Sequence, residues 1–197
     1  MDSKRQWMIL KNSCEYKLRK VALLMGAGTL LLAGLAGSIL ADGEELGNRG
    51  WMVEQRVGRL FYVIHGTAVW GHEFGFFKQA DDCDEDTIWL TFSSSEEKVK
   101  DFIGKDIVIS LNVDGQETKI KLVMLSVGTL GFTNIMTFTN WSPGEQLIGS
   151  LVKGHQVKVR ILEPKSLEAL LDIKEDRFSL EGFVASRGRA EAICRAS

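Results

Sequence analysis

The sequence predicts a mainly β protein: a single β-sandwich or partly open barrel with one to three short helices, preceded by an N-terminal export helix. Three observations carry this expectation. Residues 21–41 run without a charge, the chain from Trp51 onward shows short apolar alternations broken by glycine and acidic turns, and helix signals are few. With 45% hydrophobic and 25% charged residues and only two prolines in 197, the composition is that of a folded chain and excludes disordered and collagen-like classes.

The formal net charge of -2 conceals two opposite pieces. Residues 1–20 hold Lys4, Arg5, Lys11, Lys17, Arg19 and Lys20 against Asp2 and Glu15, a net of +4, whereas residues 42–197 carry 18 basic and 24 acidic side chains, a net of -6. A positive head, an apolar run and an acidic continuation form the layout of an export signal, because positive flanks resist translocation. The expected organisation is therefore a signal peptide or signal anchor over residues 1–41 and an exported β-rich domain over residues 42–197. Cleavage after Ser38 or Ala41 meets the small-residue requirement of a signal peptide. The run also reaches the length of about 20 residues that an uncleaved anchor needs, although its four glycines weaken it. A buried core helix is the third alternative and would need cover on all sides. Met8 is an alternative start to Met1. The expected location is the periplasm or the exterior, or the inner membrane with the domain outside the cytoplasm if the segment is retained. A body this acidic excludes a general nucleic-acid binder.

In the body, residues 106–123 give the clearest element. Ile107, Ile109, Leu111 and Val113 alternate with Val108, Ser110 and Asn112, and Asp114-Gly115 supplies the positive φ angles of a tight hairpin. Further strands are expected at 51–57, 60–65, 73–77, 87–92, 131–138, 156–162 and 177–181. A two-turn helix is expected from Ser94 to Phe102 with Ser94 or Ser95 as cap. Others are expected at 145–151, at 165–171 after Pro164, and at 184–194, where Gly188 weakens the helix. Phe76 and Phe77 must point to opposite sheet faces, so one of them reaches an outer face. The other aromatics, among them Trp51, Trp70, Trp89 and Trp141, read chiefly as core.

Chemistry-bearing residues are scattered. Export leaves Cys83 and Cys194 as an even pair in an oxidising compartment, which points to an intramolecular disulfide closing more than a hundred residues; free thiols or pairing between chains are the alternatives. Residues 81–86 place five carboxylates around Cys83, yet lack calcium-loop spacing, so a solvated loop between strands is the expectation. His65 and His72 flank adjacent strands and, with Glu73 or with Asp81, Asp84 or Asp86, are the only weak metal candidates. Ser93, Ser94 and Ser95 supply raw material for nucleophilic catalysis without a nucleophile-elbow motif. No catalytic residue and no cofactor is assigned.

The C-terminal half carries a family pattern: Asn112-Val-Asp-Gly115, Gly131-Phe132, the Leu147 to Gly154 stretch before Val157-Lys-Val159, and Phe178-Ser-Leu-Glu-Gly-Phe-Val-Ala185. In this order the motifs resemble the invasion-associated locus B family of small exported α-proteobacterial proteins, and Trp51 after Gly50 looks like that family's first strand. The resemblance implies an envelope β-domain linked to host-cell contact, with no catalytic residues to transfer. The family's cysteines near the first strand and in the middle are missing here, at Glu54-Gln55 and residues 126–131, so its disulfide layout does not carry over. The expected function is binding of a protein or cell-envelope component, with the membrane engaged only through residues 21–41 if these are uncleaved. An immunity- or inhibitor-type protein with an acidic surface is one alternative. A metal-dependent hydrolase using His65, His72 and the 81–86 acidic loop is the other.

Overall fold

The computed structural model describes residues 50–196, apart from Trp70, Ala80, Asp81, Trp141 and Ser142. The expected export segment over residues 1–41, Trp70, Asp81 and Trp141 thus lie outside the described residues. Among the described residues, no helix is long and apolar enough to cross a membrane.

Nine strands form one antiparallel sheet: β1 (Met52–Arg56), β2 (Arg59–His65), β3 (Glu73–Gln79), β4 (Asp82–Ser94), β5 (Asp106–Val113), β6 (Gln116–Leu130), β7 (Thr133–Asn140), β8 (Gln156–Glu163) and β9 (Glu175–Ser179). Their spatial order is β1-β2-β3-β4-β7-β6-β5-β8-β9. The meander β5-β6-β7 is inserted in reverse, with β4 beside β7 and β8 beside β5, so two overlapping Greek keys share it. The long connections that this order needs carry a 3₁₀ helix (Glu97–Phe102) between β4 and β5 and α1 (Glu145–Lys153) between β7 and β8. Two further helices follow, α2 (Lys165–Glu168) and α3 (Phe183–Ala196).

No ladder joins β1 to β9, but the sheet curls until its ends meet. The Trp51 indole Nε1 donates to the Ser179 carbonyl at 2.9 Å, and the Thr67 amide donates to the Arg177 carbonyl at 3.2 Å. The result is a partly open barrel, one of the two architectures that the strand pattern predicts. Its interior takes every second residue of the strands, with Tyr62, Phe74, Phe76, Leu90, Phe92, Ile109, Phe138, Val159 and Phe178 in one continuous core. The ladders, the disulfide and this core lie within residues 43–197, a compact unit with a core of its own.

Three expectations change. The acidic stretch is not a loop: Asp82 pairs with Gln79, and residues 82–86 open β4. The expected Ser-capped two-turn helix is a 3₁₀ helix without a side-chain cap. Ser94 Oγ instead donates to the Leu170 carbonyl and accepts the Glu96 amide. Phe77 does leave the core for the outer face, yet it is 1% exposed and offers no contact surface. It packs with Phe61, Val63 and Trp89 in a second cluster, and the Arg59 guanidinium covers its ring at 4.9 Å. Gly75 lets β3 approach β2 closely, since a Cβ there would collide with the Tyr62 carbonyl.

Helix α3 closes over β1–β4. Phe183 enters the aromatic core 5.0 Å from Trp51 and 5.8 Å from Phe76, and Ala190 is fully buried. At its far end Cys194 is bridged to Cys83, 111 residues away, while Arg195 pairs with Asp84. Reduction of this bridge, or Cys83→Ser with Cys194→Ser, is expected to cost on the order of 2–5 kcal/mol by freeing the unfolded chain. Urea unfolding with and without reductant measures it, and equal midpoints would remove the bridge from the stability of the fold.

Candidate functional site

Two polar constellations sit in a core that the alternation assigns to apolar side chains. The first joins β3, β4 and β9. His72 Nδ1 lies 2.9 Å from Asp176 Oδ2, and its Nε2 lies 3.0 Å from Ser93 Oγ. The imidazole stacks on Phe92 with ring centroids 4.3 Å apart. Asp176 Oδ1 also accepts the amides of Thr67 and Ala68, each at 3.0 Å, and that of Arg177 at 2.7 Å. Gly66 lets the loop approach, because a Cβ at this position would collide with the Asp176 carboxylate. Burial opposes ionisation of Asp176, but the bonds from His72, Arg177 and Ala68 outweigh it and hold the carboxyl below the usual range.

The connectivity is that of a serine–histidine–aspartate relay. Access decides what it does: Ser93 is 3% exposed, His72 0% and Asp176 1%. A nucleophile must touch its substrate, so this buried relay works as a latch across the seam of the partly open barrel. It ties β9 to the loop after β2 and to the end of β4.

The second constellation centres on Asp86. Its Oδ1 accepts Tyr62 Oη at 2.6 Å and Lys78 Nζ at 2.7 Å, and its Oδ2 accepts Arg187 Nε at 2.8 Å. Lys78 is 1% exposed, so its ammonium is supported by this carboxylate in place of water. Burial raises the Asp86 carboxyl, yet the bonds from Lys78, Tyr62 and Arg187 bring it below its ordinary value. The Tyr62 hydroxyl is pushed up, by burial first and by the Asp86 charge second.

Asp86 and Arg187 also form the inner wall of an open cleft of about 530 Å³. Asp84 and Glu85 from β4 and Glu145 from the first turn of α1 line it, with Ile148 as an apolar contact. Arg187 is already matched by Asp86 and Asp84 by Arg195, which leaves Glu85 and Glu145 facing the opening. This is an acidic recess with a rigid charged wall.

The metal candidates do not converge. His65 faces outward, 3.7 Å from Glu73, while His72 points inward with both nitrogens engaged. Asp84 and Asp86 lie at the opposite end of the β3–β4 hairpin, because residue 73 pairs with 91 and 79 with 82. Among the described residues, no group of three or more His, Cys, Asp or Glu side chains is placed to hold a metal ion. Among the described residues, His65, His72 and the pair of Asp84 and Asp86 thus lie in three separate environments. Asp176, Lys78 and Arg187 escape motif reading. Asp176 precedes Phe178 and Lys78 follows Phe74 and Phe76 in the core-facing phase, and a charge in that phase is the signal that finds them.

Comparison with known proteins adds no assignment: no family model, curated protein or solved structure matches the chain.

Removing one partner of the latch leaves a buried polar group uncompensated, so His72→Ala and Asp176→Asn are each expected to cost about 3–5 kcal/mol, read from urea midpoints at neutral pH. Asp176 ionises at lower pH folded than unfolded. Its contribution is complete above the ordinary aspartate range and is lost as pH falls from that range down through its lowered folded value. Acid titration of stability should therefore be shallower in Asp176→Asn than in the parent, and parallel curves would assign the acid response elsewhere.

Proposed function

We propose that the protein is an exported, envelope-associated β-domain that acts by binding, and that its partner presents basic side chains to the cleft between β4, α1 and α3. The observation that carries this reading is the cleft itself: Glu85 and Glu145 face the opening, Ile148 offers apolar contact, and the Asp86–Arg187 wall is held from behind by Lys78 and Tyr62. A recess already organised before binding loses little entropy on association, and its charge steers a basic partner and rejects acidic ones. Export is supported by the sequence of residues 1–41, and envelope association by the resemblance of residues 105–185 to the invasion-associated locus B pattern. An immunity- or inhibitor-type role is the version of this reading in which the basic partner is an effector or enzyme.

A photo-cross-linking residue in place of Ile148, in cells expressing the full chain, tests the proposal. A discrete adduct is expected, reduced by roughly tenfold or more in Glu85→Lys with Glu145→Lys. An adduct indifferent to that charge reversal, or its absence, would place recognition elsewhere.

A further inference from the structure

The hairpin of β6 and β7 outruns its neighbour on one side. β5 pairs with β6 only as far as Val123, whereas β7 pairs with it as far as Leu130. Met124 is the last residue of β6 met from the β5 side: its amide donates to the Lys105 carbonyl at 3.1 Å, and its carbonyl accepts the Gly104 amide at 2.8 Å. From Leu125 to Leu130 that side is a free strand edge among the described residues. Gly131 and Phe132 make a two-residue turn between the paired Leu130 and Thr133. Alternation along the ladder therefore directs the backbone groups of Leu130, Gly128 and Ser126 to β7 and points those of Val127 and Thr129 outward. Exposed edges are ordinarily blunted by charge or proline, and residues 122–142 contain neither. The start of β4, which β7 does not reach, carries Asp82, Asp84, Glu85 and Asp86.

We infer that this edge pairs with the same edge of a second copy of the chain, antiparallel about a two-fold axis. The free groups set the register. With Gly128 opposite Gly128 of the second copy, Val127 and Thr129 exchange both backbone bonds with that copy's Thr129 and Val127, so each of their outward groups is met. Gly128 then lies on the axis, where facing residues approach to about 4.5 Å and the lack of a side chain removes any clash. Residues beside a two-fold axis meet their own copies, so a charge there would repel itself; an uncharged edge suits this partner. The turn of each copy ends against residues 103–105 of the other. That brings Phe132, which is 99% exposed, onto Ile103 and Leu125, which are exposed on either side of the Gly104–Met124 bond. The projecting ring and its seat belong to one edge, so a copy related by a two-fold axis satisfies both ends of the contact at once.

Gly128 is the position to test, because a Cβ there meets nothing within 4 Å. Residues 43–197, a compact unit that holds the core and the disulfide, should pass from monomer to dimer between about 1 and 100 µM in sedimentation equilibrium. Gly128→Lys and Gly128→Glu each place like charges face to face, and each should weaken the dimer on the order of tenfold or more. An equimolar mixture of the two variants should restore it, since opposite charges then meet on the axis. Near-ultraviolet circular dichroism confirms that both variants are folded. In cells expressing the full chain, Gly128→Cys should give a disulfide-linked dimer on non-reducing gels, because the facing Cα atoms fall within disulfide range. Thr118→Cys, on the half of β6 covered by β5, should not. A monomer throughout that concentration range, a dimer indifferent to the charge at residue 128, an open-ended polymer, or no cross-link at residue 128 would each overturn the inference. Glu85, Glu145 and Ile148 lie off this edge, so loss of the cleft adduct and loss of the dimer are separate results.

Discussion

A single buried carboxylate, Asp176, ties β9 at one end of the sheet to the connection between β2 and β3 near the other. No ladder closes β1 to β9, and the chain instead aims backbone amides from the loop after β2 at one oxygen of Asp176 and His72 at the other. In the low-polarity interior each of these bonds is strong, and an unmet donor or acceptor would be costly. The seam is therefore closed by a compact polar node in place of a row of strand hydrogen bonds. Trp51 adds a second tie at Ser179, and its ring packs against Phe183 at the start of α3. Closure of the barrel and placement of the terminal helix share this contact.

The same logic governs the other end. Helix α3 packs Phe183 and Ala190 into the core, but its position along β4 is set by charge and covalent bonding: Arg187 on Asp86, Arg195 on Asp84, and Cys194 on Cys83. Neighbouring residues of one acidic strand segment thus do different work. Asp86 faces inward and organises Tyr62, Lys78 and Arg187, while Asp84 and Glu85 remain at the surface and, with Glu145, make the recess acidic. The cleft and the buried network behind it share one carboxylate, Asp86.

Much of the fold was legible before any coordinates. The 106–123 hairpin follows from alternation and Asp114-Gly115, and the structure places β5, the turn and the start of β6 there. Short helices after residues 144 and 164 follow from their apolar spacing and from Pro164. The acidic stretch misled because five carboxylates in six residues read locally as solvated chain. The cations that stabilise Asp86 come from residue 78 on the neighbouring strand and residue 187 on the terminal helix. The relay escaped for a similar reason: Ser93 and Asp176 lie 21 and 104 residues from His72.

By itself the sequence determined the β class, the hairpin and the opposite charges of head and body, and it offered the pairing of Cys83 with Cys194 as one of three alternatives. Each of these rests on local periodicity, on turn chemistry or on counting. Only the tertiary structure decided the strand order, the latch at the seam and the cleft beside Asp86. Those depend on which distant charges meet in a low-dielectric interior, where a paired carboxylate is stable and an unpaired one is not. No window along the chain contains that information, because the partners are brought together only when the sheet curls.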